Sequence, residues 1–170
     1  MIVILTGVAG SGKTTIGQAL AQHLACPFYD GDDFHPPANV AKMAAGQPLD
    51  DADRAPWLQR LHELLTRLAA QHQTAVLACS ALKRDYRLQL TRELDDVCVV
   101  YLHGSFELIQ ARLQAREGHY MSPAMLQSQF QALEPPTPDE AIHVDVSQPV
   151  DRVVTRIAKA LEDRCSPPLF

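Results

Sequence analysis

The chain has 170 residues, 46% of them hydrophobic and 21% charged, with a formal net charge of -5. That length suits one domain able to bury roughly 70% of its unfolded surface. The acidic balance argues against a surface built to hold a nucleic-acid backbone, and the longest apolar runs are strand-sized, too short to span a bilayer.

The chain begins in an apolar run, Ile2-Val3-Ile4-Leu5, which leaves no room for a signal peptide and reads as a buried strand. Directly behind it stands Gly7-Val8-Ala9-Gly10-Ser11-Gly12-Lys13-Thr14, the P-loop pattern G-x-x-x-x-G-K-[ST] in both spelling and context. Its glycines allow several backbone N–H groups to converge on one anion, and the following helix adds the positive end of its dipole. Lys13 is placed to reach the β- and γ-phosphates of a nucleoside triphosphate, and the Thr14 hydroxyl is a hard ligand for Mg²⁺. The expected nucleotide-binding set is Gly7, Val8, Ala9, Gly10, Ser11, Gly12, Lys13, Thr14 and Thr15.

Ile16, Leu20 and Leu24 give the first helix one apolar face, and Ala25-Cys26-Pro27 should end it. Phe28-Tyr29 reads as a short second strand delivering Asp30-Gly31-Asp32-Asp33-Phe34-His35 to the edge where the P-loop lies. Pro36-Pro37 starts a short helix stopped by Gly46. Asp50 to Asp53 offer caps for a long helix with the stripe Trp57, Leu61, Leu64, Leu65 and Leu68. A third strand over 74–79 leaves through Ser80-Ala81-Leu82-Lys83-Arg84 into a helix over 85–94, and 97–102 is a fourth strand. Ser105 caps the next helix, whose last turns carry Arg112 and Arg116 on one face. Residues 117–123 look like a mobile segment before a helix over 123–133. A fifth strand over 142–146 and a last helix with Val150, Val153, Val154, Ile157 and Leu161 complete the pattern, and 166–170 reads as a loose tail.

Continuous apolar strands alternating with helices predict an α/β fold, a five-stranded parallel sheet between two helical layers, with ligands beyond the carboxyl ends of the strands. The expected organisation is one domain over 1–165 with a lid over about 112–135. Cys26, Cys79, Cys98 and Cys165 lack C-x-x-C spacing, and two lie inside apolar runs, so free thiols in a reducing, cytoplasmic setting are expected.

Phosphoryl transfer requires charge neutralisation, in-line placement and a group that orients the attacking hydroxyl. Strands three and four end without an Asp, which leaves Asp30 and Asp32 at the end of strand two. Two residues apart on an extended segment, they are expected to point the same way, one toward the metal and one accepting a proton from the acceptor hydroxyl. Arg112 and Arg116, just before a glycine-containing loop, fit a lid that neutralises the transferring phosphoryl group and excludes water. His35, Arg54, Lys83, Arg84 and His119 would together line a cationic pocket suited to a small, hydroxylated, anionic acceptor.

These residues resemble the gluconate kinases of the shikimate-kinase-like and nucleoside-monophosphate-kinase-like P-loop group. The resemblance runs from the P-loop through Asp30-Gly31-Asp32 with His35-Pro36, Lys42-Met43 and Gly46-Gln47-Pro48-Leu49. It continues through Asp53-Arg54 with Pro56-Trp57-Leu58, Cys79-Ser80-Ala81-Leu82-Lys83, Tyr86-Arg87, Arg112-Leu113 with Arg116, Gly118-His119 and Gln129-Phe130. It implies ATP-dependent phosphorylation of D-gluconate to 6-phospho-D-gluconate by a cytoplasmic homodimer, feeding the pentose phosphate or Entner–Doudoroff route. Under it, Lys13 and Thr14 hold phosphate and Mg²⁺, Asp30 lies near the metal, and Asp32 is the base at the acceptor hydroxyl. Arg112 lies nearer the nucleotide and Arg116 nearer the transferred phosphate, while Ser147-Gln148-Pro149 flanks adenine. His35, Arg54, Lys83, Arg84, His119 and Gln129 are the implied acceptor contacts. Asp33 departs from the family pattern, where an apolar residue is expected, and places negative charge near the acceptor.

Residue chemistry alone leaves open a shikimate or nucleotide kinase of the same fold, and the matched motifs favour gluconate. A GTPase-type switch would need an Asn-Lys-x-Asp reader, but Asn39 is the sole asparagine and Val40 follows it.

Overall fold

The structure, a computed structural model, describes residues 1–115 and 122–165. Its centre is β1 (Ile2–Thr6), every residue of which is buried. β1 lies between β3 (Ala75–Ala78) and β4 (Val97–His103), with β2 (Phe28–Asp30) and β5 (Ile142–Asp145) outside them in the order β2-β3-β1-β4-β5. All the pairings are parallel, with Ile2 opposite Ala75 on one side and Val97 on the other. Parallel strands need crossovers that place helices on the sheet, so both faces are covered and the central strands read as unbroken apolar runs.

The two faces of the pleat separate the core. Val3, Leu5, Val76, Val100 and Leu102 pack against α1 (Lys13–His23) and α7 (Val150–Cys165) through Ile16, Leu20, Val153, Ile157 and Leu161. Ile2, Ile4, Ala75 and Leu77 face α3 (Asp51–Ala70) and α4 (Arg84–Thr91), meeting Trp57, Leu58, Leu61, Leu65 and Leu90. The expected apolar stripes are therefore the two halves of the core.

Local signals set several boundaries. Asp50 and Asp53 form a reciprocal capping box at the start of α3, each carboxylate accepting from the other's backbone N–H. Ser105 Oγ accepts from the Leu108 N–H at the start of α5 (Phe106–Gln114). α2 (Pro37–Ala44) starts on proline and is followed by Gly46 at φ 71°. α6 (Pro123–Ala132) ends before the proline-rich stretch. The helix expected over 85–94 is shorter, because Arg92 turns extended and Glu93 takes φ 59°, a left-handed value that closes the helix at Thr91. Of the segment 117–123 expected to be mobile, residues 117–121 lie outside the described residues, as do residues 166–170 and the side chain of Cys165. Among the described residues, no helix is long and apolar enough to cross a membrane.

Candidate active site

The carboxyl ends of β1, β2 and β3 meet at the P-loop. Gly12 caps α1 at φ 94°, a left-handed conformation open to glycine at little cost. A Cβ on Gly7 would stand 2.5 Å from the Leu102 carbonyl oxygen, so close strand packing also requires the bare backbone there. Lys13 Nζ donates to the carbonyls of Gly7 and Val8, 2.9 Å each, and so lies over the loop. Burial lowers its pKa, opposed by the nearby Asp32, Cys79 and Asp30. Cys79, 2% exposed, has its thiol pushed up to about 12 by burial, which keeps it neutral and unreactive beneath the site.

Thr14 Oγ1 donates to Asp30 Oδ2 at 3.0 Å, and Asp30 Oδ1 accepts from the Asp32 N–H at 3.1 Å. Asp30 thus ties the P-loop to a 3-10 turn over Gly31–Phe34, which it caps. This corrects the expected geometry: Asp30 ends the strand but Asp32 stands on the turn, so the turn, and not strand alternation, brings both carboxylates near Lys13. The Thr14 hydroxyl and Asp30 carboxylate are the hard oxygens that suit Mg²⁺, which takes one or two protein ligands beside substrate phosphates. Enclosure by the cleft raises the Asp32 pKa, with Asp30 adding to the effect and Lys13 and His35 opposing it. Its side chain is nonetheless 85% exposed at the mouth of the cleft, where a substrate can reach it.

The turn is held from below. Trp57 Nε1 donates to the Gly31 carbonyl at 2.7 Å, and the indole stacks on His35 with centroids 4.4 Å apart and planes 13° from parallel. His35 Nε2 then stands 3.9 Å from Asp32 Oδ1. Burial lowers the His35 pKa, Asp32 raises it and Arg54 lowers it, which favours a neutral ring. A Cβ on Gly31 would meet the Ala78 carbonyl oxygen at 2.7 Å. Gly31→Ala is therefore expected to displace the turn, costing about 1–3 kcal/mol in denaturant unfolding and lowering kcat with it.

Beyond His35 lie the cations. The Arg54 guanidinium and Lys83 ammonium sit 5.8 and 5.4 Å from the centroid of the Tyr86 ring. Lys83 Nζ is 2.8 Å from Asp51 Oδ1, and Tyr86 OH donates to the same carboxylate. The structure therefore gathers Asp32, His35, Arg54 and Lys83 on one side of the P-loop. It turns Arg84 elsewhere: the guanidinium pairs with Glu140 at 2.7 Å, and its backbone N–H donates to Glu134. Gln129, expected at the acceptor, instead accepts the Ala9 N–H of the P-loop at 2.7 Å through Oε1. Arg116 and His119 lie outside the described residues. Asp33 lines a cleft of about 410 Å³ at the edge strand together with Thr14, Asp30, Gln18, Phe28, Tyr29 and Phe34, so it shares that cleft with the Thr14–Asp30 pair, and Arg54 and Lys83 do not line it.

Arg112 donates to the Val146 carbonyl, which brings it against the exposed loop carrying Gln148 and Pro149. Asp145 Oδ1 accepts the Ser147 N–H at 2.6 Å and shapes that loop. Thr15 is exposed in the first turn of α1. Residue chemistry alone does not single out Trp57, Tyr86 or Asp51 as neighbours of these groups, although the resemblance includes Trp57 and Tyr86. Trp57 stands within an apolar stripe that reads as core, and Tyr86 is marked in the sequence only by the resemblance motif Tyr86-Arg87.

A P-loop facing an acidic turn and a cationic wall is the arrangement of a small-molecule kinase. The shikimate kinase family model matches residues 9–162. The probable gluconokinase of Rattus norvegicus is 44% identical, the alignment covering 95% of this chain and 97% of that protein. The chain belongs to the gluconokinase family. The thermosensitive gluconokinase of Escherichia coli K12 is 43% identical over 93% of this chain and 86% of its own. A gluconokinase crystal structure from Sinorhizobium meliloti 1021 superposes with a TM-score of 0.83 at 38% identity, covering 96% of this chain and 97% of that one. Gluconokinase family membership accounts for the order of the site motifs along the chain, and the α/β P-loop kinase fold is shared with that structure.

Proposed function

We propose that the protein is a gluconokinase, transferring the γ-phosphoryl group of ATP to D-gluconate to give 6-phospho-D-gluconate. The observation that carries the reading is Asp32, open to solvent, beside the Thr14–Asp30 pair and 3.9 Å from His35, with Arg54 near that ring and Lys83 sharing the Tyr86 face with Arg54. A polyhydroxylated carboxylate matches this wall: cations for its charge, and a carboxylate base for one hydroxyl.

In this reading the N–H groups of residues 7–15 and the Lys13 ammonium bind the phosphates, and Arg112, Gln148 and Pro149 border the base. Thr14 and Asp30 hold Mg²⁺, which when bound neutralises charge on the phosphates. Asp32 accepts the proton of the attacking hydroxyl, and its raised pKa brings its basicity closer to the working range. Arg54 and Lys83 hold the carboxylate, with Tyr86 and Asp51 keeping both cations in place. Gln129 is assigned to the P-loop, through Ala9, and Arg84 to the pairing with Glu140 that supports the loop. We take residues 1–165 as one domain with 112–135 as its lid. A cytoplasmic homodimer belongs to the same proposal, on the family resemblance, and size-exclusion chromatography with light scattering reads the assembly.

The deciding experiment is ATP turnover with Mg²⁺, by a coupled ADP assay, against gluconate, shikimate, glycerate and nucleoside monophosphates. Turnover is expected with gluconate. Turnover with another acceptor would keep the kinase and discard the pocket assignment.

A further inference from the structure

Asn39 is 3% exposed and sits on α2, behind His35 as seen from the active cleft. A buried amide needs partners for both of its hydrogens. Asn39 Nδ2 donates one to the Asp53 carbonyl oxygen at 2.8 Å. A backbone carbonyl only accepts, so this bond identifies the atom facing it as the NH₂ group and not the amide oxygen. The second hydrogen is directed at His35 Nδ1, 3.3 Å away. An NH₂ group only donates, so Nδ1 must present its lone pair. The proton of a neutral His35 then resides on Nε2, the nitrogen 3.9 Å from Asp32 Oδ1.

That separation is too long for a direct hydrogen bond, but a hydroxyl oxygen about 2.8 Å from each atom would bridge it. Such a hydroxyl would accept from Nε2–H and donate to the carboxylate. His35, already carrying the Nε2 proton, has no lone pair there to take another. We propose that Asn39 is a positioning residue that holds His35 as the Nε2–H tautomer, so that His35 aims the acceptor hydroxyl and Asp32 alone receives its proton. The proton leaves the hydroxyl for Asp32 as the oxygen bonds to phosphorus, and the Nε2–H bond stays intact. The charged groups facing the ring are Asp32 from the turn and Arg54 from α3, while α2 presents the neutral amide. Asn39 is itself braced, because Asp53, whose carbonyl it bonds, is gripped through its carboxylate by Lys42 at 2.7 Å.

The proposal rests on the kinase reading, and its test includes a readout independent of activity. Ring-¹⁵N-histidine labelling of the full chain, with two-bond ¹H–¹⁵N correlation spectra at neutral pH, reports which nitrogen carries the proton, and His35→Gln identifies the His35 signals. The expected result is a bare Nδ1 and a protonated Nε2 in the wild-type chain. In Asn39→Asp, which replaces the donor by an acceptor of the same shape, Nδ1 should gain a proton. Asn39→Ala should lower kcat roughly tenfold with the KM for ATP unchanged, the effect of mis-aiming a group. A wild-type His35 protonated on Nδ1 overturns the proposal without need of any variant, as do unchanged His35 signals in folded Asn39→Asp. Failure of gluconate as the acceptor would leave these spectra readable, so the two readings fail separately.

Discussion

Asp32→Asn is expected to lower kcat by about 10²–10⁴-fold, the span that a positioned general base contributes. The substitution keeps the shape of the side chain and removes its capacity to take a proton. The backbone N–H of residue 32, which donates to Asp30, is untouched, so the turn and the Thr14–Asp30 contact should survive. ATP binding, followed by calorimetry or a fluorescent nucleotide, should therefore stay within a few-fold of wild type. Loss of turnover with binding intact would separate the base from the nucleotide site. Near-normal turnover would remove Asp32 from that role, and loss of both functions would show that the carboxylate holds the turn together.

Lys13→Met is expected to lower kcat by about 10²–10³-fold, since an ammonium directed at developing negative charge contributes most in the transition state. A structural consequence should accompany it. Lys13 donates to the carbonyls of Gly7 and Val8; in Lys13→Met the Val8 carbonyl keeps the Ser11 N–H, and the Gly7 carbonyl loses the Lys13 donor. An unmet buried carbonyl costs about 1–3 kcal/mol, so the melting temperature should fall as well. Lys13→Arg should keep the charge and still fail, because a planar guanidinium does not fit where a compact ammonium meets two loop carbonyls. Full turnover in Lys13→Arg would show that charge, and not geometry, is what the position requires.

The short-range parts of the molecule were legible from residue order. The P-loop followed from an apolar strand running into a glycine-rich turn, because left-handed backbone and close strand contact at Gly7 and Gly12 are demands on single residues. The layered sheet followed from apolar strands alternating with one-faced helices. Caps at Asp50 and Ser105 followed from side chains that bond within three residues of themselves.

The relation of the two carboxylates was not legible in that way. An extended segment predicts that Asp30 and Asp32 share a side, but Asp30 caps a 3-10 turn and the curvature of that turn sets where Asp32 stands. Neighbouring cations also diverged: Lys83 joins Asp51 and Tyr86, while Arg84, one residue on, joins Glu140. No local pattern separates adjacent basic residues, since each takes the carboxylate that another part of the chain brings near. Gln129 reaches Ala9 across 120 residues, and Trp57 reaches Gly31 across 26. The sequence by itself determined the strand order's raw material, the nucleotide loop and the chemical types at the sheet edge, because those depend on one residue's backbone or on a short period. Only the tertiary structure decided which donor meets which acceptor, including the Asn39–His35 contact, because buried polar groups are paired by the convergence of distant segments.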